Sequence, residues 1–253
     1  MARAVDLPAI CAVDLARRAA SRLPKRVLEV AAGTGVVTRA MATALPEDAP
    51  IVAADLDKPM LDRASALPVA RPVDWRHADA LRLALDDGAL DIVICPFGLM
   101  FFPDTPLAFP EASRVLAPGG ALLVNVWDRI DENEFADVVR TALSGLFPSD
   151  PPRLLASRPH GYSNHEMIKG DLRRSGFTGP ATFETLAARS RAPSPQHPAI
   201  AYCQATPLRN EIEARSSSDL ETATGVCADT IASRFGLGTV EGKIQAHVVV
   251  AEV

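Results

Sequence analysis

The sequence has no C-x-x-C pair, no run of more than two consecutive Lys or Arg, and no long apolar stretch. Its four cysteines, Cys11, Cys95, Cys203 and Cys227, stand far apart with no histidines clustered beside them. That spacing argues against a zinc site, so no metal is expected, and against a disulfide framework. With 26 basic against 31 acidic residues the net charge is −5 and no basic patch offsets it. Such a surface repels phosphate backbones, and nucleic acid is not expected as a partner. No segment approaches the roughly 20 apolar residues that span a bilayer. The opening "MARAVDLPAICAVDLARRAA" carries charges throughout and lacks a signal-peptide core, so a cytosolic protein is expected.

What is present is ordinary globular composition, 48% apolar and 23% charged over 253 residues. That length suits one α/β domain with additions. Apolar residues at helical spacing from Ala9 to Ser21 predict a first helix, closed by Pro24. Short β-type runs follow at 26–31, 51–56, 73–79, 90–98 and 121–127. Between them, helices are predicted at 36–45, from Asp57 as N-cap with Pro59 in the first turn, and at 105–120. Pro110 is a misfit in the last of these and predicts a kink or break. Five strand–helix alternations in about 125 residues mark a doubly wound parallel sheet. Further on, a helix is predicted at 164–175 and a strand at 182–189. A Pro-rich link over 191–198, a helix near 199–214 and a strand in "KIQAHVVVAEV" complete the chain.

The turn after the first strand reads Glu29-Val30-Ala31-Ala32-Gly33-Thr34-Gly35. In an open parallel sheet, ligands sit beyond the carboxyl ends of the strands where strand order reverses. Gly33 and Gly35 let backbone approach a ligand and adopt positive φ, although glycines also end strands without function. A dinucleotide fingerprint requires G-x-G-x-x-G, yet counting from Gly33 puts Thr38 at the third glycine. Glu29, a carboxylate just before the turn, disfavours a pyrophosphate and suits a ligand carrying an ammonium and a sulfonium.

These residues resemble the class I S-adenosylmethionine-dependent methyltransferases, in the branch that includes the ubiquinone/menaquinone C-methyltransferases (methyltransferase type 11). "VLEVAAGTGVVTRA", "VAADLDKPMLDRA" and "WRHADALRLAL" are similar to that family's first three motifs. "LDIVICPFGLMFFPD" and "RVLAPGGALLVNVWD" resemble the later ones, all in the family's order and spacing from 26 to 128. The resemblance implies a Rossmann-like seven-stranded sheet, mostly parallel with an antiparallel last strand, and a cofactor, S-adenosyl-L-methionine. It implies that Gly33 and Gly35 floor the turn and that Glu29 orders it beside the cofactor's amino group. Ala31 stands where the family more often has its first glycine, a departure expected to be harmless. Asp55 is expected to take the ribose hydroxyls with no packing role of its own, and Leu56 to lie beside the adenine. Asp79 and the backbone of Ala80 are expected at the adenine ring, and the Cys95 carbonyl at the methionine ammonium. Plainer alternatives are that Asp79 caps a helix starting at Ala80 and that the Cys95 side chain is apolar filling.

Methyl transfer is an in-line displacement at an already activated sulfonium, so alignment and exclusion of water are the protein's chief tasks. The lack of a catalytic triad is therefore expected, and no base is assigned. Phe97, Met100, Phe101 and Trp127 suggest an apolar or aromatic small-molecule acceptor, with two of Phe97, Met100, Phe101 and Phe102 expected as plain core. The chain is read as one methyltransferase domain, 1–253, with 1–127 as cofactor core. Insertions at 128–163 and 190–242 are expected to form a substrate-side cap, read as holding His160, Tyr162, His165, His197 and Tyr202. Relatives often carry more residues at the start; either this start is short or the true one lies upstream. A homodimer is left open. A binding protein without activity would keep residues 29–98 and lack a closed acceptor pocket.

Overall fold

The computed structural model describes residues 7–102, 105–215 and 220–253. Ten helices occur among them: α1 (Leu7–Ala20), α2 (Val36–Ala44), α3 (Lys58–Ser65), α4 (Thr105–Val115), α5 (Glu134–Leu146), α6 (Leu154–Ser157), α7 (His165–Arg174), α8 (Gln196–Gln204), α9 (Leu208–Glu213) and α10 (Leu220–Phe235). The strands are β1 (Val27–Val30), β2 (Ile51–Asp55), β3 (Asp74–His77), β4 (Leu90–Pro96), β5 (Leu116–Trp127), β6 (Ala181–Ala192) and β7 (Val240–Glu252). They form one seven-stranded sheet in the order β3-β2-β1-β4-β5-β7-β6.

The first five strands are parallel, with Val27 beside Ile51 on β2 and beside Ile92 on β4. β7 runs antiparallel to β5, since Asp128 N–H donates to the Gln245 carbonyl (3.1 Å) and Val253 N–H to that of Gly120 (3.2 Å). It is antiparallel to β6 as well, with Glu252 N–H on the Pro180 carbonyl at 3.1 Å and Thr185 Oγ1 3.0 Å from His247 Nδ1. The fold is thus the α/β doubly wound sheet with an antiparallel last strand that the motif order implied. Strand order reverses between β1 and β4, and that is where a crevice opens at the carboxyl ends.

The chain divides into two compact units, 8–126 with 163–186 and 247–253, and 127–162 with 187–246. In the first, the sheet unit, all four residues of β1 are buried, and β4 is buried on both faces apart from its half-buried Asp91 and Pro96. Such strands read as continuous apolar runs because helices cover both sides. α2 turns Val37, Thr38, Met41 and Ala42 inward, spaced along one helical face. Asp57 caps α3 by accepting from Met60 N–H, with Pro59 in the first turn, as expected.

The structure departs from the sequence reading in several places. Pro110 lies inside α4 without ending it; the residue is exposed, so water can serve the carbonyl that its ring leaves without a donor. β5 starts at Leu116 rather than Ala121, because Leu116 pairs with Leu90 ahead of a register shift. β6 extends to Ala192 into the Pro-rich link, and α8 begins at Gln196 within it. The helix expected over 199–214 is two helices, α8 and α9, separated at Pro207. Asp79 caps no helix: its side chain accepts from Leu81 N–H and its carbonyl from Arg82 N–H, closing a turn.

The second, helical unit has its own core. α5 buries Phe135, Val138, Val139, Ala142 and Leu143 along one stripe, joined by Ala199, Cys203, Leu208, Ile212, Cys227 and Ile231 from α8, α9 and α10. The sequence separates Cys203 from Cys227, yet the fold sets their sulfurs 3.7 Å apart as buried free thiols. That distance is well beyond a disulfide bond. No helix among the described residues is long and apolar enough to cross a membrane.

Candidate functional site

β1 ends in a turn whose backbone is left-handed at Ala31 (φ 52°), Gly33 (55°) and Gly35 (76°). Gly35 caps α2 from the left-handed region, and a Cβ there would stand 2.7 Å from the Trp75 ring. Its glycine identity is thereby set by packing, and it does not line the cavity that the turn borders. Gly33 does line it, and its N–H donates to Asp55 Oδ2 at 2.6 Å. Ala31, where the family more often has glycine, keeps the left-handed backbone of a glycine. A non-glycine residue in this region carries roughly 1–2 kcal/mol of strain, and its methyl fits only because residue 98 is glycine. A Cβ on Gly98 would come within 2.3 Å of the Ala31 Cβ. Phe97, at the end of β4, is the other left-handed non-glycine residue on this cavity. Strained backbone concentrated at one crevice points to a functional site.

The cavity has a volume of about 770 Å³, within the range of small-molecule sites. It lies at the carboxyl ends of β1, β2 and β4, and its walls are mainly apolar. Glu29, Ala31 and Gly33 contribute from the first motif, Asp55 and Leu56 from the second, Asp79 and Ala80 from the third, and Phe97 and Phe101 from the fourth. Leu56 is exposed at the rim, as are Val36, Met60 and Phe101. Val36, Met60 and Gly98 were missed in the sequence; the first two open the helices that follow strand ends, which was signal enough to find them.

Three expected residues, Cys95, Met100 and Trp127, are not among those lining the cavity, and the expectation for Cys95 concerned only its carbonyl. Cys95 lines a separate void of about 20 Å³ among Leu99, Phe109 and Val124, and burial pushes its thiol up to about 12, so it is packing rather than a nucleophile. Met100 is buried core, whereas Phe97, Phe101 and Phe102 all line the cavity; one of those four is plain core instead of two. Trp127 belongs to the helical unit, where it packs against His160 with ring centroids 6.3 Å apart. There His160 Nδ1 donates to the Asp128 carbonyl (2.7 Å), and burial holds its pKa below the usual histidine value.

Glu29 is fully buried. One carboxyl oxygen, Oε2, accepts from Thr38 Oγ1 at 2.5 Å, while Oε1 has no partner. Burial raises its pKa to about 8; the Thr38 hydrogen bond and the Arg39 charge oppose the rise, and Asp55 adds to it. The charge read from the sequence is therefore conditional, because at neutral pH this group holds its proton until something compensates the charge. Asp55 differs from expectation too. Oδ2 takes the Gly33 amide, and Oδ1 takes the Asp57 amide at 2.7 Å, so the side chain ties both ligand-side turns together. Each oxygen retains a second lone pair. The cavity thus offers a place for a cation beside Glu29 and for hydroxyl donors beside Asp55. Among the described residues no group of three or more His, Cys, Asp or Glu could hold a metal.

A family model described as a methyltransferase domain matches residues 28–124. The demethylmenaquinone methyltransferase of Thermus thermophilus is 41% identical over 142 residues, which cover 54% of this chain and 61% of that protein, less than two thirds of its length. A ubiquinone/menaquinone biosynthesis C-methyltransferase of Pseudomonas savastanoi pv. phaseolicola is 31% identical over 181 residues, 66% of this chain and 70% of the relative. Among solved structures, the YcgJ protein of Bacillus subtilis superposes with a TM-score of 0.61 at 17% identity, covering 95% of this chain and 97% of that one. A methyltransferase-like protein of Bacillus halodurans reaches 0.58 at 18% identity with the same coverage. These two likenesses concern the fold alone. The sequence relatives, with the five motifs in register, show that the chain belongs to the class I S-adenosylmethionine-dependent methyltransferases, in the ubiquinone/menaquinone C-methyltransferase branch.

Proposed function

We propose that this chain uses S-adenosylmethionine to methylate a small acceptor with an apolar or aromatic ring, of the quinone type that its relatives' names indicate. The observation that carries the reading is Glu29, a fully buried carboxyl with an unpartnered oxygen on the wall of a mainly apolar cavity. A buried acid with one oxygen unpartnered is costly, and a cationic ligand offsets that cost. Gly33 and Ala31 would bring backbone against the methionine part, Asp55 would take the ribose hydroxyls with its free lone pairs, and exposed Leu56 would cover the adenine beside Asp79 and Ala80. Gly35 acts beneath the turn through Trp75.

When bound, adenosylmethionine supplies an electrophilic methyl group on a sulfonium. The chain's part is to align the acceptor with that group and to keep water away, tasks suited to the aromatic walls at Phe97, Phe101 and Phe102. Where a dinucleotide enzyme needs its third glycine, Thr38 hydrogen-bonds Glu29 instead. The segments 128–163 and 190–242 are proposed to supply further acceptor contacts.

Thermal melts and calorimetric titration test this. Adenosylmethionine and adenosylhomocysteine should raise the melting temperature by ligand linkage, and NAD and NADP should not. Asp55→Ala should weaken adenosylhomocysteine binding by about 10- to 100-fold, in keeping with about 1.5–3 kcal/mol for hydrogen bonds to a charged group. It should also lower the melting point, because the Gly33 and Asp57 amides lose their acceptor. Stabilisation by NAD alone would reject the reading.

A further inference from the structure

Cys203 and Cys227 have no part in the account of the cavity. They lie on α8 and α10 within the helical unit, both fully buried, with their sulfurs 3.7 Å apart. The Cys227 sulfur also lies 4.0 Å from the Val139 carbonyl of α5, so the pair sits where three helices of one core meet. A single buried cysteine is adequately explained as small apolar filling. Two whose side chains point at each other can do more. Only the distance from 3.7 Å to the roughly 2.0 Å of a disulfide remains to be closed.

The two thiols are not equivalent. A Cys203 thiolate accepts the hydrogen bond of the Cys227 S–H, which holds its pKa below the usual thiol value although burial opposes this. The Cys227 pKa is raised, first by the Cys203 side chain and then by burial, so Cys227 keeps its proton while Cys203 ionises. A thiolate beside a protonated thiol is what an attacking and a resolving cysteine need.

We propose that Cys203 and Cys227 form a modification site, a dithiol that a hydroperoxide oxidises to a disulfide joining α8 to α10. The Cys203 sulfur attacks one oxygen of hydrogen peroxide, the O–O bond breaks, and the departing oxygen leaves as water with the Cys203 proton. The sulfenic acid so formed meets Cys227 at contact distance. As the S–S bond forms, the S–O bond breaks and the hydroxyl leaves as water with the Cys227 proton. Two thiols and one peroxide thus give one disulfide and two waters. Neither sulfur reaches solvent, so the reaction waits on local opening of the helical core. The new bond closes a loop spanning 24 positions that contains α9, and it ties together helices that otherwise only pack. Such a link restricts the unfolded chain and makes the stability of the helical unit depend on redox state.

The test exposes reduced wild-type protein to hydrogen peroxide and digests it without reductant. The protein should lose the mass of two hydrogens and yield a crosslink between the peptides that hold Cys203 and Cys227, reversible by reductant. In urea the oxidised form should show a higher midpoint, with its unfolding constant lowered by about tenfold or more. Cys227→Ala should leave a sulfenic acid on Cys203, which dimedone labels, and should gain no stability on oxidation. Cys203→Ala should show neither the label nor the gain. Cys11 and Cys95, buried in the sheet unit, are internal controls and should keep their thiols. Survival of all four thiols, a crosslink to Cys11 or Cys95, or an oxidised form no more stable than the reduced one overturns the inference. The crosslink map uses the wild type alone, so it decides the matter even if neither alanine variant folds.

Discussion

The two units differ in where they tolerate imperfection. Among the described residues, buried side-chain atoms without a partner occur on Glu29, Arg39, Arg71, Asn125 and His165, all in the sheet unit. The left-handed non-glycine residues, Leu23, Ala31 and Phe97, are in that unit as well. The helical unit instead packs an apolar stripe from α5 against α8, α9 and α10, with none of these liabilities among its described residues. A fold selected for stability alone would place such defects nowhere. Of these, Glu29, Ala31 and Phe97 line the one cavity at the strand ends, the place where a binding site is expected to give up stability, while the rest are scattered through the sheet unit.

The largest expected effect follows from Glu29. Its folded-state pKa is raised from 4.5 to about 8, so between those values the folded, ligand-free protein holds a proton that the unfolded chain has released. Stability of the free protein should therefore fall as pH rises through that window. A cationic ligand that favours the ionised carboxylate reverses the sign for binding. Affinity for adenosylmethionine should climb by up to about tenfold per pH unit and level off above pH 8, with about one proton released on binding. Titrations in two buffers of different ionisation enthalpy count that proton. Glu29→Gln should abolish both slopes; if they persist, the titrating group lies elsewhere and the contrast between the units loses its main support.

Next in size is a cavity cut into the helical unit. Ile231 is fully buried on α10, and Ile231→Ala should cost about 2–5 kcal/mol. If the two regions carry separate tasks, adenosylhomocysteine affinity should stay within about threefold while the urea midpoint drops. Collapse of cofactor affinity in a variant that is still folded would show that the division into a binding unit and a packing unit is wrong.

Legibility followed the range of the interactions. The turn at 31–35, the Asp57 cap and the doubly buried β4 are local signals, and their positions could be read from a few neighbouring residues. The Asp55 clamp on Gly33 and Asp57 spans two turns, and only its ligand role was readable. Gly35 answers to Trp75, Gly98 to Ala31, and Cys203 to Cys227; such pairings depend on how distant segments pack, which no local pattern encodes. α5 is a different case. Its inward positions 135, 138, 139 and 142 recur at helical spacing, so this helix is legible inside the insertion expected over 128–163.

The smallest effect, and the most local, concerns Ala31 and Gly98. A methyl added at residue 98 would stand 2.3 Å from the Ala31 Cβ, closer than two carbons tolerate, and neither residue is at the end of a flexible side chain. Gly98→Ala should therefore cost about 1–3 kcal/mol, the usual penalty for overpacking. Ala31→Gly alone should change little, since relief of roughly 1–2 kcal/mol of left-handed strain is offset by about 0.4–1 kcal/mol from the freer unfolded chain. Together the two changes swap the methyl from one side of the contact to the other, and the double variant should recover most of the loss. Urea denaturation of all four proteins gives the coupling energy, expected in the range of about 0.5–3 kcal/mol for touching residues. Costs that simply add would mean that the two do not share one space. The strained turn at Ala31 would then owe nothing to Gly98, and one reason for placing deliberate strain at this cavity would be gone.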